Sequence, residues 1–135
     1  MMAKVRQVGA LCWRKRRGKI EVLLVTSRES KRWVIPKGWP MPGLKDYNAA
    51  RREAFEEAGV AGRMKRMPLG SFVYNKRRPD GMLPVSVAVF ALAVTREYRS
   101  WLEKKSRARV WLAPSEAARL VDEARLRRLI LAFDA

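Results

Sequence analysis

The chain contains no histidine, and this absence excludes several classes of functional site. Without imidazole there can be no Ser-His nucleophile, no histidine general base and no His-Cys zinc site. The single cysteine, Cys12, excludes an intrachain disulfide framework and is typical of a reducing compartment. Proton transfer in any active site must therefore fall to carboxylates, lysine, tyrosine or water.

Long apolar segments are also missing. The longest apolar run, at about 83–94, includes Pro84 and Ser86 and is too short to span a bilayer. Near the basic N-terminus, a short apolar run is interrupted by Gly9, so we expect no signal peptide. These features predict a cytoplasmic protein that does not enter a membrane.

Negative charge is scarce, since 13 Asp and Glu stand against 30 Lys and Arg, for a net charge of +17 at pH 7. Such a field favours polyanions, namely nucleic acid, an anionic membrane surface or a heavily phosphorylated small molecule. The 135 residues, 48% of them hydrophobic, are enough for one domain with a real core. We predict a single domain over residues 1–135, as a monomer or homodimer.

The few carboxylates are concentrated in one predicted helix. Asp46 is expected to cap its N-terminus, and no Gly or Pro follows until Gly59, which suits the left-handed position just past a helix end. The pattern therefore predicts a helix over about 47–58.

Three glutamates share one face near the end of this helix. Glu53, Glu56 and Glu57 are spaced i, i+3, i+4, and they lie where the helix dipole is negative. Arg52 supplies one compensating charge, and a hard divalent cation with oxygen ligands would supply two more. The alternative is a solvated acidic helix end without a ligand.

Strands are predicted on both sides of the helix by apolar and alternating patterns. Pro114 is expected to open a second helix through about Val121, and Asp122 to cap a third over 123–133. The order predicts an α/β (α+β) fold, with a mixed sheet covered by helices on both faces. The predicted strands are 5–13, 20–26, 33–35, 69–75, 84–95 and 107–112.

The stretch from Gly38 to Val60 reads G-W-P-M-P-G-L-K-D-Y-N-A-A-R-R-E-A-F-E-E-A-G-V and resembles the Nudix box. Two positions depart from that pattern, Leu44 in place of its first glutamate and Ala54 in place of an aliphatic residue. The resemblance implies an α/β/α sandwich with a central loop-helix-loop catalytic motif. It also implies a hydrolase of phosphoanhydride bonds that uses Mg²⁺ or Mn²⁺. The matching positions are Gly38, Arg52, Glu53, Glu56, Glu57, Gly59 and Val60.

The segments T-S-R, R-W-V-I-P-K-G and R-A-R-V-W-L, which flank the box, are similar to the branch that cleaves diphosphoinositol polyphosphates and diadenosine polyphosphates. Such substrates carry many charges on a small body, so their site needs several Arg and Lys that converge from separate loops. Lys37 is a further candidate for phosphate contact. The resemblance implies phosphate contacts by Arg6, Ser27, Arg28, Lys76, Arg77, Arg107 and Arg109.

The resemblance also implies roles in the reaction. Glu53 and Glu57 are expected to bind the divalent metal, with the backbone carbonyl of Lys37 as a further ligand. Glu56 is expected to orient or deprotonate the attacking water, or else to bind metal. Arg52 is expected to hold the glutamate side chains in place.

Two questions stay open at this point. The family often takes an extra carboxylate from a loop beyond the box, and Glu97 and Glu103 are equal candidates. Leu44 removes a carboxylate near the helix start, so the local hydrogen bonds there must differ from those of the family pattern.

Three alternative functions are compatible with these residues. An enzyme that removes pyrophosphate from RNA 5′ ends would exploit the high charge, which in any case predicts weak RNA binding through the basic surface. A non-catalytic Nudix-like polyanion-binding module is favoured by Leu44 but opposed by the intact glutamates. A nucleotide-pool hydrolase would need base-stacking aromatics, for which the candidates are Trp39, Phe72, Tyr74 and Trp101.

Overall fold

Residues 5–135 are described by the computed structural model, and eight strands in this part of the chain form one mixed sheet. Three helices accompany the sheet: α1 (Asp46–Ala58), α2 (Pro114–Leu120) and α3 (Ala124–Ala132). None of the helices described has the length and apolar character needed to cross a membrane. The strands are β1 (Val5–Arg16), β2 (Lys19–Thr26), β3 (Trp33–Val34), β4 (Lys37–Gly38), β5 (Val60–Met64), β6 (Gly70–Arg78), β7 (Gly81–Glu97) and β8 (Arg109–Leu112).

The centre of the sheet is a parallel pair, in which β1 runs alongside β7 with Val5 opposite Val85 and Trp13 opposite Ala93. All other pairings are antiparallel within the described residues. Beyond β1 lie β2 and β4, and β2 in turn pairs with β3 and β8. Beyond β7 lie β5 and β6, each paired with a different part of that long strand.

The two faces of the sheet carry separate cores, because side chains alternate along the strands. Leu11 of β1 packs in a cluster with residues of α2 and α3, such as Ile130. Its neighbours Ala10 and Cys12 pack with Ala54 of α1 on the opposite face. The predicted mixed sheet with helices on both faces is therefore confirmed.

Helix α1 lies against the sheet through a face of small residues, and Ala50, Ala54 and Ala58 are each fully buried. Its end was predicted correctly: Gly59 has φ 66°, and its N–H donates to the Phe55 carbonyl. Its start was not, since Lys45 occupies the N-cap position without a side-chain cap.

Asp46 is instead the first residue of α1, and its carboxylate accepts a hydrogen bond of 2.8 Å from the Arg6 guanidinium. A negative charge in the first helical turn still complements the helix dipole. Asp122 was likewise expected to cap the last helix, but Glu123 holds that position and Asp122 pairs with Arg32 at 2.8 Å.

Two strands were missed by the sequence patterns, the two-residue β4 and the longer β5. β5 (Val60–Met64) contains Gly62, which weakens a strand pattern. In the structure the register with β7 shifts between Ala61 and Gly62, and a Cβ at Gly62 would lie 1.9 Å from the Ala93 carbonyl oxygen. The glycine therefore marks an irregularity where two backbones approach closely.

Candidate active site

The glutamates of α1 come close to the loop around β4. Glu57 is buried, with 4% of its surface exposed, and its Oε1 accepts the Lys37 backbone N–H at 3.3 Å. The Arg107 guanidinium lies 3.7 Å from the same oxygen. Glu53 lies one helical turn earlier, and its carboxyl group is within hydrogen-bonding reach of the Glu57 carboxyl. The structure thus brings together the two predicted metal ligands.

Gly38 allows this approach because it has no side chain. A Cβ at Gly38 would lie 2.3 Å from the carboxyl carbon of Glu53 and 2.5 Å from one of its oxygens. No real Cβ contact is this short, so the Glu53 carboxyl occupies the space that any other residue would fill. The position of the Glu53 carboxyl therefore explains why residue 38, the first of the stretch that resembles the Nudix box, is a glycine.

The two carboxyl groups have raised pKa values. Burial, together with the hydrogen bond shared with Glu53, raises the pKa of Glu57 from 4.5 to about 9, although the positive charge of Arg107 acts against the shift. Burial also raises the pKa of Glu53, and it lowers the pKa of the Lys37 ammonium. A carboxyl group whose pKa is raised by burial and by a second carboxyl group marks a place where a cation would be favourable.

The donor set fits a hard divalent cation. Within residues 5–135, no three Cys, Asp or Glu side chains converge as a complete ion cage, so protein groups alone do not saturate an ion here. Mg²⁺ typically uses one or two carboxylates and completes its shell with water and substrate phosphate. Glu53 and Glu57 match that pattern.

Glu56 is turned toward a different partner. Its Oε2 accepts a hydrogen bond of 3.1 Å from Arg52 Nε, one helical turn earlier. Repulsion from Glu56 contributes to the raised pKa of Glu53, so the two carboxylates are near each other. The arrangement leaves Glu56 beside the carboxyl pair with one oxygen that does not accept from Arg52.

A cavity of about 690 Å³ opens beside Glu57. Six basic side chains line it, against the two carboxylates Glu29 and Glu57, so its walls are strongly cationic. Arg32 is the one basic lining residue that the sequence patterns did not single out. The lining includes seven of the predicted site residues: Ser27, Arg28, Lys37, Glu57, Lys76, Arg77 and Arg107.

Two residues predicted to contact phosphate do not line this cavity. Arg6 is exposed and pairs with Asp46 at the start of α1. Arg109 donates hydrogen bonds to the carbonyls of Ala58 at 2.7 Å and Tyr98 at 2.8 Å. Both guanidinium groups are thus occupied by α1 or by the loop beside it.

The structure distinguishes the two candidates for an extra carboxylate. Glu97 accepts hydrogen bonds from Arg14 at 2.8 Å and from the Trp111 indole at 2.9 Å. Glu103 accepts from Arg107 at 2.6 Å, and its negative charge helps to raise the pKa of Glu53. Glu103 therefore lies beside the α1 glutamates, whereas Glu97 of β7 accepts hydrogen bonds from residues of β1 and β8.

Gln7 lines the cavity although the sequence patterns did not assign it to the site, and its partner Tyr74 was singled out only as one of four candidates for base stacking. The Tyr74 hydroxyl donates to Gln7 Oε1 at 2.8 Å, and the Lys37 ammonium lies 4.6 Å from the Tyr74 ring centre. Gln7 is buried at 4% exposure in a strand of otherwise apolar buried residues, and this polar interruption was the available signal. Of the aromatics proposed to stack on a base, Tyr74 lines the cavity, while Phe72 is buried in the core.

Comparisons with known sequences agree with this geometry. A family model described as the NUDIX domain matches residues 4–133. Nudix hydrolase 12, mitochondrial, of Arabidopsis thaliana is 38% identical over 106 residues, which cover 76% of this chain and 52% of that protein. Diphosphoinositol polyphosphate phosphohydrolase 3-beta of Bos taurus is 33% identical over 118 residues, which cover 86% of this chain and 68% of that protein. The chain thus spans about half to two thirds of the length of these relatives.

Solved structures show the same fold. A C. elegans Ap4A hydrolase matches with a TM-score of 0.67 at 24% identity, over 96% of this chain and 95% of that one. The NUDIX domain of Shewanella oneidensis NrtR, solved with ADP ribose, matches with a TM-score of 0.67 at 16% identity, over 96% and 87% of the two chains. At these identities the likeness supports the architecture alone.

The buried carboxyl of Glu57 should make the stability of the metal-free protein depend on pH. Its pKa is higher in the folded state, about 9 against 4.5, so between these values the folded protein binds more protons than the unfolded chain. The free energy of unfolding then falls as pH rises through that window. We expect the melting temperature in EDTA to fall between about pH 6 and about pH 9, and Glu57→Gln to flatten the fall.

Glu29→Gln is the matched control, because it neutralises an exposed glutamate at the cavity rim and should keep the wild-type decline. An unchanged slope in Glu57→Gln would contradict the assignment of the buried proton to this pair.

Substituting Gly38 should disturb the carboxyl pair without unfolding the protein. In Gly38→Ala the new methyl group displaces the mobile end of the Glu53 side chain, so the melting temperature should change little. Mn²⁺ affinity, measured by electron paramagnetic resonance, should fall about tenfold. In a Glu53→Gln background the same substitution should have no further effect, and additive losses would show that Gly38 acts elsewhere.

Proposed function

The chain belongs to the Nudix family, and from that membership we propose that it is a metal-dependent hydrolase that cleaves phosphoanhydride bonds in a small, highly anionic substrate. The observation that carries the proposal is the juxtaposition at Glu57. A carboxyl pair suited to a divalent cation meets a cavity with six basic side chains. A cation site beside a cationic cavity makes chemical sense when a polyphosphate bridges the two.

We propose that the substrate is a diphosphoinositol polyphosphate or a diadenosine polyphosphate. Relatives are named as diphosphoinositol polyphosphate phosphohydrolases, and a protein of the same fold is named an Ap4A hydrolase. A cavity of about 690 Å³ has the size of a small-molecule site. Its excess of Arg and Lys suits a ligand with several phosphates on a compact body.

The metal is proposed to be Mg²⁺ or Mn²⁺, held by Glu53 and Glu57 with the Lys37 carbonyl as a further ligand. Bound there, the ion would neutralise phosphate charge and lower the pKa of a water molecule. The Gly38 contact and the raised carboxyl pKa values support this placement.

Glu56 is proposed as the group that orients and deprotonates the attacking water. Arg52 holds one of its oxygens, and the other can accept the water proton. The water oxygen forms a bond to phosphorus while the anhydride P–O bond breaks, and the leaving phosphate departs with the electron pair. Glu103 is the weaker candidate for the base, because its carboxylate already accepts a 2.6 Å hydrogen bond from Arg107.

The phosphate contacts are proposed to come from the basic residues that line the cavity. Arg28 is largely exposed and free to turn toward a ligand, with its nearest carboxylate, Glu103, 3.9 Å away. Arg107 sits between Glu103 and Glu57, at the edge nearest the carboxyl pair. Lys37, Lys76 and Arg77 complete the set.

Hydrolysis of pyrophosphate at RNA 5′ ends is the second candidate. Tyr74 in the cavity wall offers a surface on which a base could stack, and the net charge of +17 would attract RNA.

Cytoplasmic location stays a prediction, and relatives named as mitochondrial and chloroplastic show that location varies in the family. The single domain over 1–135 and the oligomeric state also stay predictions.

Removing the proposed base should abolish turnover without weakening substrate binding. For Glu56→Gln we expect kcat to fall by at least about 100-fold with KM nearly unchanged, because the lost group acts on the water rather than on the phosphates. Glu103→Gln should reduce kcat less. The check is steady-state phosphate release with Mg²⁺ and with Mn²⁺. A Glu56→Gln enzyme that keeps most of its turnover would refute the assigned role.

Neighbouring arginines on β6 should differ in their effect on substrate binding. Arg77 lines the cavity, whereas Arg78 does not. We expect Arg77→Met to raise KM about tenfold for a diphosphoinositol polyphosphate, and Arg78→Met, the matched control, to leave it nearly unchanged. Equal effects of both substitutions would show that general attraction, not cavity contact, governs binding.

A substrate screen separates the two candidate functions. Diphosphoinositol polyphosphate, diadenosine polyphosphate and a 5′-triphosphorylated RNA oligonucleotide should be compared at matched salt concentrations. We expect the small molecules to be cleaved with the higher kcat/KM. Preferential cleavage of the RNA, with a steep salt dependence, would favour the second candidate.

A further inference from the structure

The C-terminal end of α1 is bound by the loop between β7 and β8. The last four carbonyls of a helix have no partner within the helix and must find one outside it. In α1 the first of them, that of Phe55, accepts the Gly59 N–H of the helix cap. The other three accept from the loop and the strand that follows it: Glu56 O from Glu103 N–H at 3.1 Å, Glu57 O from Trp101 Nε1–H at 3.0 Å, and Ala58 O from Arg109 Nη1–H at 2.7 Å.

Trp101 and Arg109 also contact each other and Gly59. The Arg109 guanidinium lies 4.0 Å from the centre of the Trp101 ring, a cation–π contact. The ring is packed so closely on Gly59 that a Cβ there would lie 2.7 Å from it. The second Arg109 amine donates to the Tyr98 carbonyl at 2.8 Å, and the Tyr98 N–H donates to Gly59 O at 2.8 Å. We call Trp101 and Arg109 the helix clamp.

The helix clamp supplies the positive charge that α1 lacks. No basic residue lies in the last turn of α1, although that turn carries the negative end of the dipole and two glutamates. The guanidinium of Arg109 lies directly on the terminal carbonyls. It therefore offsets the helix dipole from a position that is outside the cavity.

The loop held by the clamp carries two charged residues of the site. Glu103 and Arg107 pair at 2.6 Å, and Arg107 lies 3.7 Å from Glu57. The loop is connected to α1 through the contacts of Trp101, Glu103 and Arg109 described above. A shift of the loop would move Glu103 and Arg107 away from the α1 glutamates.

We propose that Trp101 and Arg109 are positioning residues, which fix the β7–β8 loop on the last turn of α1 and so hold Glu103 and Arg107 against Glu53 and Glu57. The proposal rests on the hydrolase function proposed above. It assigns Arg109 to the helix end rather than to a substrate phosphate. The two roles differ in kinetics, because a phosphate contact acts on KM and a positioning contact acts on kcat.

The test uses substitutions that remove single contacts. Trp101→Phe keeps an aromatic ring over Gly59 but loses the Nε1–H donor, and Arg109→Met keeps the apolar stem but loses the guanidinium. We expect each to lower kcat about 10- to 100-fold while KM changes less than about threefold, whatever the number of phosphates on the substrate. Backbone amide hydrogen exchange in residues 98–107 should become about tenfold faster in both.

Arg127→Met is the matched control, because Arg127 Nε also donates to a carbonyl at a helix end, that of Val121 after α2, and Arg127 does not line the cavity. It should leave kcat and the exchange of residues 98–107 unchanged. Trp13→Phe is the aromatic control, because Trp13 is a partly buried tryptophan that packs against the core on the other face of the sheet.

Unchanged amide exchange in residues 98–107 of both clamp variants would overturn the positioning role of Trp101 and Arg109, and so would faster exchange with an unchanged kcat. A rise in KM for Arg109→Met that grows with the phosphate count would identify Arg109 as a phosphate ligand instead. If the wild-type protein cleaves no pyrophosphate compound, the proposed function fails, while hydrogen exchange still decides whether the clamp fixes the loop.

Discussion

The burial of the Glu57 carboxyl beside that of Glu53 is the interaction on which the rest of the site depends. When a buried carboxyl group and a partly buried one lie side by side, a charge on both is unfavourable without a cation. The protein supplies only partial compensation, through the Lys37 N–H and the more distant Arg107. In the proposed function, this incomplete compensation would favour a divalent ion at the pair, because a fully satisfied pair would gain little from one.

The cavity beside this carboxyl pair carries part of the protein's surplus of Lys and Arg over Asp and Glu. Seven of the thirteen Asp and Glu side chains lie within 4 Å of an arginine nitrogen, as Asp46 does with Arg6 and Glu21 with Arg14. The cavity beside Glu57 keeps an excess of positive charge from four separate segments, around Arg28, Lys37, Arg77 and Arg107. In the proposed function, a field of this kind would concentrate polyphosphates, and the carboxyl pair would bind the cation that accompanies them.

Features that depend on the spacing of nearby residues could be predicted from the sequence. The roles of residues whose partners lie far away in the chain could not. The glutamate face of α1 and its end at Gly59 follow from helix periodicity and from the left-handed cap. Arg107 and Arg109 are two residues apart and chemically identical, yet one lines the cavity and the other binds the end of α1. That difference arises because β8 begins at Arg109 whereas Arg107 still lies in the loop, and no local pattern encodes it.

The packing of α1 on the sheet explains why its small residues matter to the chemistry. Glu53 reaches Gly38 only because the helix backbone lies close to the sheet, and the buried Ala54 and Ala58 permit that distance. A larger aliphatic residue at Ala54, where the Nudix pattern has one, would push the helix outward or require space elsewhere in the core. Ala54 is thus compatible with a tight helix–sheet contact. That contact in turn determines how close the Glu53 carboxyl comes to Gly38. The same helix then meets three requirements on separate surfaces: alanines toward the sheet, glutamates toward Gly38, and terminal carbonyls toward Trp101 and Arg109.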